Sequence, residues 1–164
     1  MEIRGRRVGK KAHRVSLGNG IVLKVINVLS HNSQTLMSPT EKPCPFCTLP
    51  TERIIDSNEF GVAIRDGFPV SPGHTLVTPK RHVGSWFEIS QEEQLGLMEL
   101  LTKAQKALEK ELSPHGYNIG INDGPAAGQT VPHLHMHLIP RYQGDQEDAR
   151  GGVRWIIPEK AKYW

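Results

Sequence analysis

Long hydrophobic runs are missing from this 164-residue chain, and cysteines and aromatic residues are scarce. The longest nearly apolar stretch, residues 21–26, contains Lys24 and falls far short of the ~18 apolar residues that a membrane-spanning helix needs. The only two cysteines are Cys44 and Cys47, which excludes a multi-disulfide scaffold and favours a reducing, cytoplasmic compartment. The hydrophobic content of 37% fits one globular domain with an ordinary core.

The positive charge is concentrated at the start of the chain. Residues 1–36 hold seven lysines and arginines against one acid, Glu2, although the formal net charge of the whole chain is only +3. The remaining sequence is therefore acidic overall, and we predict no nucleic-acid partner. We interpret residues 1–36 as a basic tail, a targeting peptide, or an upstream extension of a protein that starts at Met37. Residues 37–164 form the expected domain.

The hydrophobic pattern predicts a mixed α+β fold. One helix begins after Ser90, a good N-cap, and Glu93 three residues later completes a capping box. The apolar stripe expected on this helix consists of Leu95, Met98, Leu101, Ala104, Leu108 and Leu112. Strands are expected over residues 59–65, 74–79, 117–122, 131–139 and 153–157. Many strands joined by short links favour an antiparallel sheet with helices over a doubly wound fold.

His133, His135 and His137 stand at every second position, and the residues that alternate with them are apolar. In an extended strand the three imidazoles share one face, with the apolar side chains on the other. The alternatives are chance histidines on a half-exposed strand, a metal site, or nucleophilic catalysis. Ligands ~7 Å apart along one strand cannot all reach one ion, which disfavours a three-histidine metal site. The spacing favours attack of a neutral imidazole on phosphorus, assisted by its neighbours.

The segment 124–130 precedes the histidines and is rich in glycine. Gly128 lets the backbone approach an anion, and Gln129 and Thr130 add side-chain donors. Such a loop is usually only a turn, but its attachment to the histidine segment favours a phosphate-binding role.

Cys44 and Cys47 enclose two residues and form half of a zinc site. A zinc ion would need two further ligands, for which His82 and His133 are the candidates. The alternatives are a redox pair, which lacks the expected βαβ context, and two unrelated thiols.

Two further residues have both structural and functional interpretations. His74 follows a Pro-Gly turn and is either an ordinary buried histidine or a partner that fixes the tautomer of a triad ring. Asp66 either forms an Asx turn or holds the hydroxyls of a ribose.

The combination of these motifs resembles the histidine triad superfamily of nucleotide hydrolases and transferases, over about residues 42–142. The segments that carry the resemblance are Cys44-Pro45-Phe46-Cys47, Asp66, Pro72-Gly73-His74-Thr75-Leu76-Val77, Lys80-Arg81-His82, Asn122-Asp123-Gly124, Gly128-Gln129-Thr130-Val131 and His133-Leu134-His135-Met136-His137. The resemblance implies a five-stranded antiparallel sheet with helices, usually paired into a homodimer.

The resemblance also implies roles for individual residues. His135 would be the nucleophile that forms a nucleotidyl-histidine intermediate, and His137 would contact the phosphate and the leaving group. Gln129 and Thr130 would hold phosphate oxygens, while Asp66 and Asn122 would lie in the nucleoside pocket. Zinc-containing members use two cysteines and two histidines, matching Cys44, Cys47, His82 and His133. If zinc holds His133, only two triad rings remain for chemistry.

The continuation after the triad, Leu138-Ile139-Pro140-Arg141, resembles the fragile histidine triad and bacterial hydrolase branch. That resemblance implies a dinucleoside polyphosphate as substrate. The alternatives are a phosphorylase, a nucleoside phosphoramidase, and a nucleotide-binding module with weak turnover. The segment 150–155 is not part of the resemblance; its two arginines could meet distal phosphates or close a dimer, or the segment could be a sheet edge.

Overall fold

The computed structural model describes residues 43–164, and the predicted basic leader, residues 1–36, lies outside them. The strands and α-helices of this part of the chain are β1 (Ile54–Ser57), β2 (Gly61–Arg65), β3 (Thr75–Pro79), α1 (Gln91–Leu112), β4 (Gly116–Ile121), β5 (Met136–Arg141) and α2 (Pro158–Ala161). The strands form one sheet in the order β1-β2-β3-β5-β4, with antiparallel neighbours throughout. This confirms the predicted α+β fold with a five-stranded antiparallel sheet.

Helix α1 begins where the capping box predicts. Ser90 Oγ accepts a hydrogen bond from Glu93 N at 3.2 Å, and Glu93 Oε2 accepts one from Ser90 N at 2.7 Å. The two side chains thereby satisfy backbone N–H groups that have no partner inside the helix. Arg81 also donates to Glu93, which ties the start of α1 to the segment after β3. No helix among residues 43–164 is long and apolar enough to cross a membrane.

The buried face of α1 differs from the predicted stripe in its first two turns. Leu95 and Met98 are 60% and 45% exposed, whereas Leu97 and Leu100 are fully buried. The reason is Gly96. It lies so close to the Phe60 ring that a Cβ atom at this position would clash with the ring. Close approach at the glycine turns the neighbouring leucine outward. The later members of the stripe, Leu101, Ala104 and Leu108, are buried as predicted.

The sheet has one face covered by α1 and one face that carries the functional residues. Directly opposed residues on antiparallel strands project to the same side. Ile64, Leu76, His137 and Gly120 form one such row across β2, β3, β5 and β4. The side of the sheet to which this row projects is called the histidine face. The alternating residues Leu134, Met136 and Leu138 are buried in the core with α1, as predicted.

The strand predicted over 131–139 is wrong in its first half. Strand β5 begins only at Met136, so His133 and His135 precede it. Before that point the backbone leaves the ladder, because His133 N donates to Val131 O at 2.8 Å and Leu134 N donates to Val83 O at 2.7 Å. The three rings therefore do not form one straight row.

The strand predicted over 153–157 is also wrong. This segment is a 3-10 helix, Gly152–Ile156, followed directly by α2. Gly151 and Gly152 both have positive φ, +86° and +47°, and turn the chain back before a strand can start. Pro158 then occupies the first turn of α2, a position that suits its fixed φ and missing N–H.

Candidate functional site

His135 and His137 form the centre of the candidate site, with ring centroids 5.1 Å apart. His135 Nδ1 lies 2.8 Å from the carbonyl oxygen of His133. A carbonyl oxygen can only accept, so Nδ1 carries the hydrogen of the neutral ring. The lone pair is then on Nε2, the nitrogen that can act as a nucleophile.

His137 is joined to His74 and Asp66 in a chain of short contacts. His74 Nε2 lies 3.0 Å from His137 Nδ1, and His74 Nδ1 lies 3.2 Å from Asp66 Oδ2. Val70 N also lies 3.4 Å from His74 Nδ1, but a neutral ring carries one hydrogen, and the shorter contact to a carboxylate assigns it to the bond with Asp66. His74 Nε2 then accepts from His137 Nδ1. This arrangement leaves the lone pair of His137 on Nε2, a buried atom without a protein partner among residues 43–164.

Burial keeps His137 neutral. Desolvation, with smaller contributions from His135 and His74, lowers the pKa of His137 from 6.5 to about 4, although Asp66 opposes the shift. Desolvation likewise lowers the pKa of His74, again against the attraction of Asp66. Near neutral pH the His137 ring is therefore a hydrogen-bond acceptor and a weak base at Nε2.

The third triad ring, His133, belongs to a separate cluster with Cys44, Cys47 and His82. The ligand atoms of these four residues all lie within 4.8 Å of one another. His133 Nδ1 is 3.4 Å from Cys44 Sγ and 3.5 Å from Cys47 Sγ, and His82 Nδ1 is 3.2 Å from Cys47 Sγ. Tetrahedral zinc with bonds of ~2.0–2.3 Å places its ligand atoms ~3.3–3.8 Å apart. These three separations are close to those of a four-coordinate site, and the remaining pairs lie within 4.8 Å.

The electrostatics of the cluster also suit a divalent cation. Burial, together with the neighbouring Cys44, raises the pKa of Cys47, because two thiolates side by side repel without a positive charge between them. Burial lowers the pKa of His133, which favours the neutral ring that binds metal. His133 Nε2 lies 2.9 Å from the Pro79 carbonyl oxygen, so its hydrogen is held there and the Nδ1 lone pair faces the sulfurs.

The predicted phosphate loop lies before the histidines, but the structure uses its glutamine internally. Gln129 Nε2 donates to the Gly84 carbonyl at 2.8 Å, and its Oε1 accepts from Gly124 N at 2.9 Å. These bonds hold the loop closed rather than leave the amide free for a ligand. Gly128 has φ +89°, and Thr130 is exposed beside it.

The two predicted nucleoside contacts are placed differently by the structure. Asn122 lines a cavity of about 450 Å³ on the histidine face, together with His74 and His137. Asp66 instead contacts His74 through its Oδ2. Its Oδ1 accepts a hydrogen bond from Phe68 N at 2.9 Å, which forms the Asx turn that was its alternative interpretation. The structure therefore does not bring Asp66 and Asn122 together in this cavity.

Sequence reasoning missed Phe46 as a site residue. Its ring centroid lies 5.6 Å from His133 and 5.2 Å from His135, so it packs against both rings. Its position between the two cysteines was the available signal.

Comparisons of the sequence and the fold with known proteins point to one family. The family model of the HIT domain matches residues 48–144. A HIT-like protein of Mycoplasma genitalium is 37% identical over 108 residues, covering 63% of this chain and 77% of the relative. The asymmetrical bis(5'-nucleosyl)-tetraphosphatase of Schizosaccharomyces pombe is 46% identical over 77 residues, which are 47% of this chain and 42% of the relative.

A solved structure that shares the fold is described as zinc-bound. It is the zinc-bound histidine triad family protein from Mycobacterium smegmatis, 34% identical, with a TM-score of 0.57 over 73% of this chain and 94% of that one. The domain match spans more than half of the sequence and contains the predicted phosphate loop, His135 and His137. The chain belongs to the HIT family.

Proposed function

We propose that this protein is a nucleotide hydrolase that cleaves a phosphoanhydride, as in a diadenosine polyphosphate, at the α-phosphate. The observation that carries the proposal is the bond from His135 Nδ1 to the His133 carbonyl, which leaves the Nε2 lone pair available for attack. The relative from Schizosaccharomyces pombe, named a dinucleoside tetraphosphatase, supports this substrate class.

In the proposed first step, His135 Nε2 attacks the α-phosphorus. An N–P bond forms, the bond from phosphorus to the bridging oxygen breaks, and its electron pair leaves with the departing phosphate chain. Gly128 and Thr130 contribute donors to the phosphate oxygens in this proposal, whereas Gln129 acts by holding the loop in shape.

In the proposed second step, water takes the nucleotidyl group from His135. The His137 Nε2 lone pair accepts a proton from the attacking water as the N–P bond breaks. Asp66 and His74 are positioning residues, because they hold the hydrogen on His137 Nδ1 and so keep Nε2 basic. An orienting carboxylate behind a histidine is a recurrent device for fixing its tautomer.

The direct test is detection of the covalent intermediate. Protein mixed rapidly with diadenosine tetraphosphate labelled at the α-phosphorus should show a burst of labelled chain, stable in alkali and labile in acid. Product analysis with added phosphate distinguishes hydrolysis, which gives a nucleoside monophosphate, from phosphorolysis, which gives a diphosphate. Product formation without any labelled chain would contradict the mechanism.

We expect the rate of hydrolysis of the labelled intermediate to stay level as the pH falls from about 7.5 to about 5.5, because the pKa of His137 is about 4 rather than its ordinary 6.5. A base acts only when unprotonated, so the loss of activity should begin below this range. The measurement is the decay rate of the preformed labelled chain at each pH, with far-UV circular dichroism to check folding. A fall in this rate with a midpoint near 6.5 and an intact fold would contradict the role of His137.

Asp66→Ala should lower kcat by about 10²-fold, the lower end of the contribution of general-base catalysis. Without the carboxylate, His74 no longer holds the His137 tautomer, so hydrolysis of the intermediate slows more than its formation. Single-turnover kinetics should therefore show the labelled intermediate persisting longer. Asp56→Ala, at a half-buried carboxylate on β1, is the matched control and should leave both rates unchanged.

We propose that Cys44, Cys47, His82 and His133 hold a structural zinc ion, which when bound would fix the turn containing the two cysteines to the segment after β3.

We also propose a homodimer in which β4 forms part of the interface. The sheet ends at β4, and the outer edge of this strand has no strand partner among residues 43–164. Free thiols at ligand positions support a reducing, cytoplasmic compartment.

A further inference from the structure

Two arginines stabilise the C-terminal part of the chain: Arg154 lies within residues 151–157, called the C-terminal segment, and Arg150 directly precedes it. Arg154 donates to the carbonyl oxygens of Ala161 and Lys160 at 3.0 and 2.6 Å, and its guanidinium lies 5.0 Å from the Tyr163 ring. Arg150 lies 4.4 Å over the Trp164 ring and pairs with Asp148. Both arginines serve the local structure, which disfavours their use on distal phosphates.

The apolar side chains of this segment do not join the core. Val153, Ile156 and Ile157 are 58%, 80% and 48% exposed, yet all three line the cavity that also contains His74 and His137. Exposed aliphatic surface grouped beside a reactive ring indicates a binding surface rather than packing. The segment is therefore the outer wall of the candidate site.

The cavity lies on one side of the reacting centre. It extends over β4 and β5, whereas the apolar cluster Val62, Ile64 and Leu76 lies on the other flank, over β2 and β3. Among the described residues that line the cavity, His137 is present and His135 is not. Phosphoryl transfer places the attacking and leaving atoms roughly in line, so the leaving group departs away from His135. If the nucleotide is transferred to His135 as proposed, the cavity beyond His137, which His135 does not line, is open to the leaving group.

We propose that residues 151–157 complete a subsite for the leaving group, and that this group ends in a flat, apolar ring with polar edges, such as a nucleobase. The proposal rests on the proposed nucleotidyl transfer to His135. Ile139 lines the cavity from the sheet and Ile156 from the C-terminal segment, which suits a ring held between aliphatic surfaces. Asn118 and Asn122 place amides at the same cavity. A bare polyphosphate leaving group would leave the aliphatic surface uncovered.

The test compares two substrates that transfer the same adenylyl group. Diadenosine tetraphosphate releases a leaving group with a nucleoside, and adenosine 5'-tetraphosphate releases one without. Ile156→Ser should lower kcat/KM for the first by about 10-fold, the low end of the effect of lost apolar contacts, and change the second by less than about twofold. Leu95→Ser, at an equally aliphatic exposed position on α1, should change neither.

A binding measurement separates the subsite from the proposed chemistry. In a His135→Ala background, which cannot form the intermediate, Ile156→Ser should weaken binding of diadenosine tetraphosphate by a similar factor in isothermal titration. Equal dissociation constants would overturn the subsite even if turnover proceeds as proposed. Absence of turnover in the wild type with weakened binding in the variant would overturn the chemistry alone. Equal losses on both substrates, with a change of oligomeric state by sedimentation, would identify a subunit contact and overturn the subsite.

Discussion

His135→Ala should reduce turnover of dinucleoside polyphosphates by on the order of 10⁶-fold, the scale reached when a covalent nucleophile is removed from a catalytic triad. The substitution deletes the attacking Nε2. Of the neighbouring rings, His137 has its free nitrogen, Nε2, buried, and His133 Nδ1 faces Cys44 and Cys47, so neither is placed to take over the attack. The measurement is steady-state product formation, with the labelled intermediate followed in parallel.

The same change should leave the fold intact. The His135 ring is 6% exposed and contacts Phe46 at 5.2 Å between centroids, so its loss removes some packing at the edge of the core. A stability loss of about 1–3 kcal/mol is expected, which a thermal melt will show as a modest shift. His115→Ala, at an exposed histidine after α1, is the matched control and should retain full turnover. Normal turnover in the His135→Ala protein would eliminate His135 as nucleophile.

The start of the helix was predictable because local chemistry determines it. Ser90 and Glu93 form a capping box from neighbouring residues, independent of the rest of the chain. The buried face of α1 was less predictable, because it depends on Phe60 closing against Gly96 from a distant segment. Leu95 is as apolar as a core residue, and only the contact between Gly96 and Phe60 turns it outward.

The separation of the histidines into two sites could not follow from their spacing. Alternation predicts one face for all three rings only if the whole segment is extended, and the strand starts at Met136. His133 is instead drawn to Cys44 and Cys47, 86 and 89 residues away in sequence. In the structure His133 lies with the two cysteines and His82, whereas His135 and His137 contact each other.

The C-terminal segment shows the limit of strand propensity. Val153, Ile156 and Ile157 have side chains that favour strands. This strand propensity is weaker than the turns that the residues flanking the segment impose on the backbone. Gly151, Gly152 and Pro158 impose turns on both sides of a five-residue piece, and the result is a 3-10 helix. The same residues then serve as a wall of the cavity beside His137.

Removal of zinc should lower the melting temperature by roughly 10–20 °C. A ligand present at about 1,000 times its dissociation constant contributes about 4 kcal/mol to the folded state, and 1 kcal/mol corresponds to a few degrees in a domain of this size. The reason lies in the cluster itself: Cys44 and Cys47 lie on the N-terminal turn, His82 follows β3, and His133 precedes β5. The ion would join three segments that are distant in sequence. The measurement is a thermal melt with and without chelator, alongside metal analysis.

A pair of histidine variants provides the control. His82→Ala and His115→Ala make the same change at two exposed histidines, of which only His82 lies in the cluster. His82→Ala should lose bound zinc and melt near the temperature of the chelated wild type, with little further response to chelator. His115→Ala should keep one equivalent of zinc and the full chelator effect. Equal zinc content in the two variants would contradict the ligand set, because a tetrahedral site that loses one of four protein ligands binds its ion far more weakly.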